Sequence, residues 1–370
     1  MAEEPIWMSL GEFVTEGVMA ALPLCFPGQS SPPPAGETAI RCMAVDPWGT
    51  VYCGTAGRRA HVLAAMIRGD TGVVFDLGCP PEAERIDALA VVGEHVCAIA
   101  SGPGGCAMWR WERMARSFLI QEWTIPRVEP EKVGDLAIDG RVADAVSAGD
   151  GSVLYGVTEP GGELLRLEAA TAEAAVLAKL DEQQRFSRRI ALGPDGRLWG
   201  TRGMTRIFRC DTHTGALEDV AVVPAAAGRA QHTQASAWAA DPAADRLYGG
   251  TTPDGFLFRL DPHTGRTVAL GKPTRLGPVN CLTVGNDGRL FGACGLAEDI
   301  GHLFCHDPAA GSLRDLGIAV SALTARQYGY HFQCMATGRD GEIYLGQHER
   351  VGHLWVYFPP VPMRSGDLGA

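Results

Sequence analysis

The chain has 370 residues, of which 46% are hydrophobic, and this apolar content is sufficient to fill the core of one large domain. Its 43 acidic residues outnumber its 32 basic residues and give a formal net charge of −11 at pH 7. A net negative field repels phosphates, so the composition argues against a general nucleic-acid binder.

The cysteines and the N-terminus indicate the cellular compartment. The eleven cysteines are scattered, their number is odd, and no CxxC pair occurs, so we interpret them mainly as small buried hydrophobes in a reducing environment. The first residues, MAEEPIWMSL, carry acid where a secretory signal carries Lys or Arg, and no apolar run reaches membrane-spanning length. We therefore expect a cytoplasmic protein with no membrane partner.

Residues 1–37 precede the repeated part of the sequence. Within them, Ser9-Leu-Gly-Glu12 resembles a capping box, and Leu10, Phe13, Val14 and Val18 lie on one helical stripe. This pattern predicts a short helix that Pro23 would end.

One unit then recurs along the chain: a turn, an apolar-aromatic strand, a gap and further strands. The strongest copies are GPDGRLWGTRG from Gly193, GNDGRLFGACG from Gly285 and GRDGEIYLGQH from Gly338. Each is built on Asp-Gly, a dipeptide typical of tight turns between strands. Seven copies are recognisable, with turn positions at Gly49, Glu94, Gly151, Gly196, Asp245, Gly288 and Gly341.

This spacing suits four short strands per unit. Repeated four-stranded units pack face to face around a channel, so the sequence predicts a seven-bladed, all-β propeller with four-stranded antiparallel blades over residues 38–358. The last unit lacks an outer strand after HLWVYFPPV, which makes the extension 1–37 a candidate for closing the ring. Residues 359–370 form a C-terminal tail.

The units, which follow a D-G-x-(L/I/V)-(aromatic)-G-like pattern, resemble those of bacterial seven-bladed propellers such as the streptogramin lyases and several uronate-specific polysaccharide lyases. The resemblance covers residues 38 to 358 at the level of the repeats. It implies the fold and offers lyase chemistry as an expectation, although propellers also serve as sugar binders and scaffolds.

Two loops of the seventh unit concentrate polar side chains. In a propeller, the loop entering the innermost strand and the loop between the second and third strands open on the same face. The first of these loops holds Arg326, Tyr328, Tyr330 and His331, and the second holds Gln347, His348, Glu349 and Arg350. His232 enters the inner strand of the fifth unit, and the position eight residues before the turn is Arg41, Arg188, Asn280 or Gln333 in four units.

These residues include the groups that a β-elimination lyase needs. Such an enzyme removes a proton α to a carboxylate, so it requires a base, an acid for the leaving oxygen and a clamp for the carboxylate. We assign His331, His348 or His232 as catalytic imidazoles and Tyr330 or Tyr328 as the acid. Substrate-binding candidates are Arg350, Arg188, Arg41, Asn280 and Gln333.

Several alternatives remain open at this point. His232, His331 and His348, with Glu349, would instead bind a divalent metal if they converge, although their spacing matches no metal motif. A hydrolase is the second enzymatic candidate. A non-catalytic propeller that binds a protein or glycan would use the same side chains, and a six-bladed lactonase-like propeller would hold calcium through Asn280 and Glu298.

Overall fold

A computed structural model describes residues 14–24, 33–68, 71–113, 129–181, 185–275, 277–297, 299–321 and 327–360. These residues form antiparallel β-sheets, and the helical element among them is the single 3-10 turn Pro242–Ala244. The all-β class and the four-stranded antiparallel blades are therefore confirmed. No helix in this part of the chain is long and apolar enough to cross a membrane.

The strands are numbered in chain order. The first nine are β1 (Val18–Pro23), β2 (Ala39–Val45), β3 (Val51–Ala56), β4 (Val62–Arg68), β5 (Thr71–Asp76), β6 (Arg85–Val92), β7 (His95–Gly102), β8 (Gly105–Glu112) and β9 (Glu131–Asp135). Strands β2 to β9 form one eight-stranded sheet. Its halves, β2–β5 and β6–β9, are joined by a single residue pair, Ala56 with Arg85.

The remaining sheets each contain four strands. The next twelve strands are β10 (Arg141–Ser147), β11 (Val153–Glu159), β12 (Glu163–Glu168), β13 (Ala174–Lys179), β14 (Ala191–Leu192), β15 (Leu198–Arg202), β16 (Arg206–Cys210), β17 (Leu217–Val222), β18 (Gln234–Asp241), β19 (Arg246–Thr252), β20 (Leu257–Leu260) and β21 (Thr267–Gly271). The last nine are β22 (Val279–Val284), β23 (Leu290–Cys294), β24 (His302–Asp307), β25 (Ser312–Ile318), β26 (Val320–Ser321), β27 (Gln327–Tyr328), β28 (Phe332–Thr337), β29 (Ile343–Gln347) and β30 (His353–Phe358).

Five sheets are separate: β10–β13, β14–β17, β18–β21, β22–β25, and a sheet ordered β1-β30-β29-β28, while β26 and β27 pair with each other. The innermost strands contact one another in a closed circuit, β2 to β6, β10, β14, β18, β22, β28 and back to β2. A central channel runs along these strands, as in a propeller.

The turns lie where the repeats predict them. Gly151, Gly196, Gly288 and Gly341 take positive φ angles between the first and second strands of their sheets, a conformation that glycine adopts without a steric penalty. Asp245 occupies the same place with φ 50°. In the divergent second unit, the residue with positive φ is Gly93 rather than the neighbouring Glu94.

The second strand of each blade is buried on both faces because blades pack against each other. This burial explains the aromatic-glycine motif. Phe291 is 2% exposed, and the following Gly292 lies under Phe304 of the third strand, whose ring would stand 2.3 Å from an added Cβ. Gly200 and Gly249 are covered in the same way by Phe208 and Phe258.

The N-terminal segment pairs with the last unit. Strand β1 runs antiparallel to β30, from Val18 opposite Phe358 to Pro23 opposite His353. The predicted helix is therefore wrong for Val18 and Pro23, which are extended because they complete a sheet; Ser9 to Phe13 lie outside the described residues.

Candidate functional site

A β-bulge interrupts the inner strand of several blades at one end of the channel. The pairing with the second strand shifts between Ile40 and Cys42, leaving Arg41 as the extra residue. Equivalent shifts leave Asp87, Ala143, Ser236, Asn280 and Gln333 as the extra residues in five other inner strands. We call the end of the channel that these residues border the channel mouth.

The two polar loops of the last unit meet at this mouth. The backbone N–H of His348 donates to the His331 carbonyl over 2.8 Å, and the two imidazole rings make an edge contact with centroids 6.2 Å apart. Both side chains are half-buried. The structure thus brings together the two histidines from loops separated by a complete β-hairpin.

The tautomer of His348 follows from its hydrogen bond. Its Nδ1 lies 3.1 Å from the Ile40 carbonyl oxygen, which can only accept, so Nδ1 carries the proton. Burial and the nearby positive charge of Arg41 lower the pKa of His348 to about 4. The ring is therefore neutral near pH 7, and its Nε2 keeps a lone pair.

His331 is also neutral by this reasoning, because burial lowers its pKa. Its Nδ1 is buried and has no hydrogen-bond partner. An unpaired buried polar atom is costly, so a hydrogen bond to this nitrogen from a water or ligand that reached it would be favourable.

A chain of hydrogen bonds supports the His331 loop from the core. The Trp355 Nε1 donates to Gln347 Oε1 over 2.9 Å, and Gln347 Nε2 donates to Glu349 Oε2 over 2.8 Å. The other carboxylate oxygen of Glu349 accepts from the backbone N–H of His331 over 3.3 Å. Gln347 is only 2% exposed, so its amide is a positioning element rather than a ligand.

Arg41 borders the same space and is only weakly paired. Its Nη2 lies 3.8 Å from Asp87 Oδ1, and its buried Nε has no hydrogen-bond partner. Asp87 is more closely bound by Arg85 at 3.2 Å and by the Ser101 hydroxyl at 2.5 Å. Burial raises the pKa of Asp87, while these partners act in the opposite direction. Arg41 therefore retains capacity for a further anion.

Arg189 crosses the channel. Its Nη1 pairs with Asp144 of β10 at 3.2 Å, and its Nη2 donates to the Gln333 carbonyl of β28 over 3.0 Å. These two inner strands are not neighbours in the circuit. The bridge separates the polar mouth from the lower channel, where a cavity of about 670 Å³ is lined by side chains such as Met43, Leu89, Ile190 and Trp238.

The charge at the mouth is positive on balance. Five arginines, Arg41, Arg85, Arg141, Arg188 and Arg189, lie there with four carboxylates, Asp87, Asp144, Glu159 and Glu349. This excess favours an anionic ligand although the whole chain is acidic.

The other residues predicted for the site do not contact the His331–His348 pair in the same way. The Asn280 side-chain amide donates to the Gly295 carbonyl over 2.8 Å. The backbone carbonyl of Gln333 accepts a hydrogen bond from Arg189. Tyr328 is half-buried beside Val320, and Tyr330 is 37% exposed next to His331.

Arg188 is mostly exposed and pairs with Glu159. Arg350 and His232 are exposed, and Arg326 and Glu298 lie outside the described residues.

The proposed metal ligands do not converge. Among the described residues, no group of three His, Cys, Asp or Glu side chains has the arrangement that a metal ion needs. Glu349 directs its two oxygens at Gln347 and the His331 backbone. The set His232, His331, His348 and Glu349 therefore does not fit a metal centre.

Sequence reasoning missed Arg85, Asp87 and Asp144. Asp87 lies six residues before Gly93, whereas the extra residue lies eight residues before the turn glycine in four other units, so counting eight residues back from the turn does not reach it. A search for an extra polar residue at each inner-strand bulge would have found Asp87. No local signal identifies the partners of Arg189, which lie 45 and 144 residues away along the chain.

Comparison with known proteins supports the fold alone. No family model matches the chain, and no curated protein matches its sequence. Its structure is similar to an oligogalacturonate lyase in complex with manganese, with 14% identity, a TM-score of 0.60, and coverage of 94% of this chain and 98% of that one.

It is also similar to YCF48 from Cyanidioschyzon merolae, with 11% identity, a TM-score of 0.58, and coverage of 92% and 99%. A chain of the mitotic checkpoint complex aligns with 13% identity, a TM-score of 0.61, and coverage of 97% and 96%. The chain is accordingly similar in architecture to β-propellers.

Proposed function

We propose that the protein is a lyase that acts on a small anionic, uronate-type substrate at the channel mouth. One observation carries the proposal: two neutral imidazoles, His331 and His348, lie with ring centroids 6.2 Å apart beside the incompletely paired Arg41. The similarity to an oligogalacturonate lyase is consistent with it.

In this proposal Arg41 holds the substrate carboxylate and stabilises the charge that develops when the α-proton leaves. The lone pair of His348 Nε2 takes that proton, the bond from the β-carbon to the leaving oxygen breaks, and a carbon–carbon double bond forms. Tyr330 or Tyr328 protonates the leaving oxygen. The bound carboxylate also offsets the charge of Arg41, which raises the pKa of His348 towards the range of an effective base.

Other residues of the mouth would bind the rest of the substrate. Arg188 and Arg350 are exposed arginines suited to a second carboxylate, while Asn280 and Gln333 offer amide groups to hydroxyls. His232 is a further candidate if a longer substrate reaches the fifth blade. No step is assigned to a metal, since the available side chains do not fit one.

The test is turnover of digalacturonate, followed by the ultraviolet absorbance of the conjugated product. His348→Ala and Arg41→Met should each lower kcat/KM by about 10²-fold or more if they remove the base and the clamp. His213→Ala replaces an exposed histidine of a distant turn and should leave the rate unchanged. Equal rates in wild type and His348→Ala would refute the assignment.

A second candidate is a non-catalytic propeller that binds a protein or glycan through the same face. The exposed Leu296, Tyr330 and Val351, which lie on loops of blades six and seven, favour it. Saturable binding of digalacturonate without product formation would support glycan binding and exclude the lyase.

We also propose that the ring has seven blades, with β2–β5 and β6–β9 as separate blades. The single Ala56–Arg85 pair between them and the circuit of seven inner strands support this count. In the same proposal residues 38–358 are the propeller, the strand from residues 1–37 closes it through β30, and 359–370 are a tail.

A further inference from the structure

One cysteine among the ten that the structure describes lies in contact with a histidine ring. Burial raises the pKa of nine of these ten thiols, namely Cys42, Cys53, Cys97, Cys106, Cys210, Cys281, Cys294, Cys305 and Cys334, which makes them poor nucleophiles. Cys79 is only half-buried, in the connection between β5 and β6, and its sulfur lies 3.2 Å from His61 Nδ1 and 3.5 Å from His61 Nε2.

His61 is positively charged. Its Nδ1 lies 2.9 Å from Asp76 Oδ2 and its Nε2 lies 3.1 Å from Glu37 Oε2. Carboxylates only accept hydrogen bonds, so both ring nitrogens carry protons. Burial opposes the charge, but the hydrogen bond to Asp76 and the contact with Cys79 raise the pKa of His61 to about 10. Because both N–H groups point at carboxylates, the sulfur lies beside an imidazolium that keeps its protons.

The surroundings of this pair favour an anionic ligand. Arg58 and Arg59 approach Glu37 at 3.4 and 3.2 Å, yet their side chains remain 77% and 63% exposed. With Glu37 they border an open cavity of about 350 Å³. Three cationic groups, His61, Arg58 and Arg59, outnumber the two carboxylates of Glu37 and Asp76. While the Cys79 thiol is neutral, the cluster therefore has one unbalanced positive charge.

We propose that Cys79 is a thiol–disulfide exchange site for small disulfides that carry carboxylates. The thiolate sulfur of Cys79 attacks one sulfur of the disulfide, a new sulfur–sulfur bond forms, and the original one breaks. The other half of the disulfide leaves as a thiolate, and the Cys79 proton goes to solvent. Arg58 and Arg59 bind the carboxylates, and the charge of His61 lies beside the attacking sulfur. This site is independent of the proposed lyase chemistry.

The test uses the reduced full-length protein and three disulfides: oxidised glutathione, which is anionic, bis(2-hydroxyethyl) disulfide, which is neutral, and cystamine, which is cationic. Mass spectrometry of the intact protein and its peptides measures the rate and position of each mixed disulfide. We expect adducts at Cys79, with oxidised glutathione reacting fastest relative to its rate with a free small thiol. This comparison needs only the wild-type chain.

Variants separate the contributions of Arg58, Arg59, His61 and Cys79 to the exchange reaction. Arg58→Gln with Arg59→Gln should slow oxidised glutathione by about tenfold and leave the neutral disulfide unchanged, because only the carboxylates need the guanidinium groups. His61→Gln should slow all three reagents. Cys79→Ser should abolish the adduct, and Cys334→Ser, which removes another half-buried cysteine, should keep it. Equal labelling of several cysteines, or no preference for the anionic reagent in wild type, would overturn the proposal.

Discussion

The neutral state of His348 has a measurable consequence for stability. The substitution His348→Asn removes the titrating ring while keeping a side-chain N–H for the Ile40 carbonyl, to which His348 Nδ1 donates over 3.1 Å. The ring faces Arg41, Arg85 and His331. Burial and the Arg41 charge lower its pKa from 6.5 to about 4.

The direction in which stability changes with pH follows from proton linkage. Below the unfolded value of 6.5, the unfolded chain binds a proton at this position before the folded protein does, so acid favours unfolding. The contribution of the neutral His348 ring to the free energy of unfolding is fully present above pH 6.5 and is lost as the pH falls towards about 4. The difference between 6.5 and about 4 corresponds in full to about 3.5 kcal/mol at roughly 1.4 kcal/mol per pH unit, and about 3 kcal/mol of it is lost by pH 4, where the folded imidazole is half protonated.

The assay is urea unfolding of wild type and His348→Asn at several pH values between about 7 and about 4. Between these limits, wild type should lose up to about 3 kcal/mol more stability than the variant, because other ionisable groups are common to both. His232→Asn, which replaces an exposed histidine, should follow the wild-type curve. Parallel curves for wild type and His348→Asn would refute the electrostatic reasoning.

Two further predictions concern packing and the channel bridge. Gly292→Ala should lower the free energy of unfolding by about 1–3 kcal/mol, because its Cβ would stand 2.3 Å from the Phe304 ring, whereas Gly149→Ala meets no atom within 4 Å and should change little. Arg189→Met should cost about 3–5 kcal/mol by leaving the Asp144 carboxylate unpaired, and Asp144→Leu in the same chain should recover part of that loss. The midpoints of urea unfolding measure the stability of all these variants. Equal effects of Gly292→Ala and Gly149→Ala would contradict the packing prediction. Additive losses from Arg189→Met and Asp144→Leu would contradict the prediction for the channel bridge.

Local features of the fold were readable from the sequence because their causes are local. An Asp-Gly pair specifies its own turn, and the alternation that follows specifies a strand, so Gly196, Gly288 and Gly341 were placed correctly. The prediction of a helix that ends at Pro23 was wrong because of a contact with a distant part of the chain. Residues from Val18 onwards are extended because they pair with β30, whose partner residues lie more than 300 positions later.

The sequence also indicated the two loops that bring His331 and His348 together, since the repeat register places both on one face. Only the tertiary structure decided what surrounds them. Arg41 of β2 meets Asp87 of β6, and Arg189 reaches Asp144 and Gln333 across the channel, because ring closure juxtaposes side chains from different inner strands. The order of residues along the chain determined the repeating blade, while contacts between blades determined the charges, tautomers and unpaired atoms at the channel mouth.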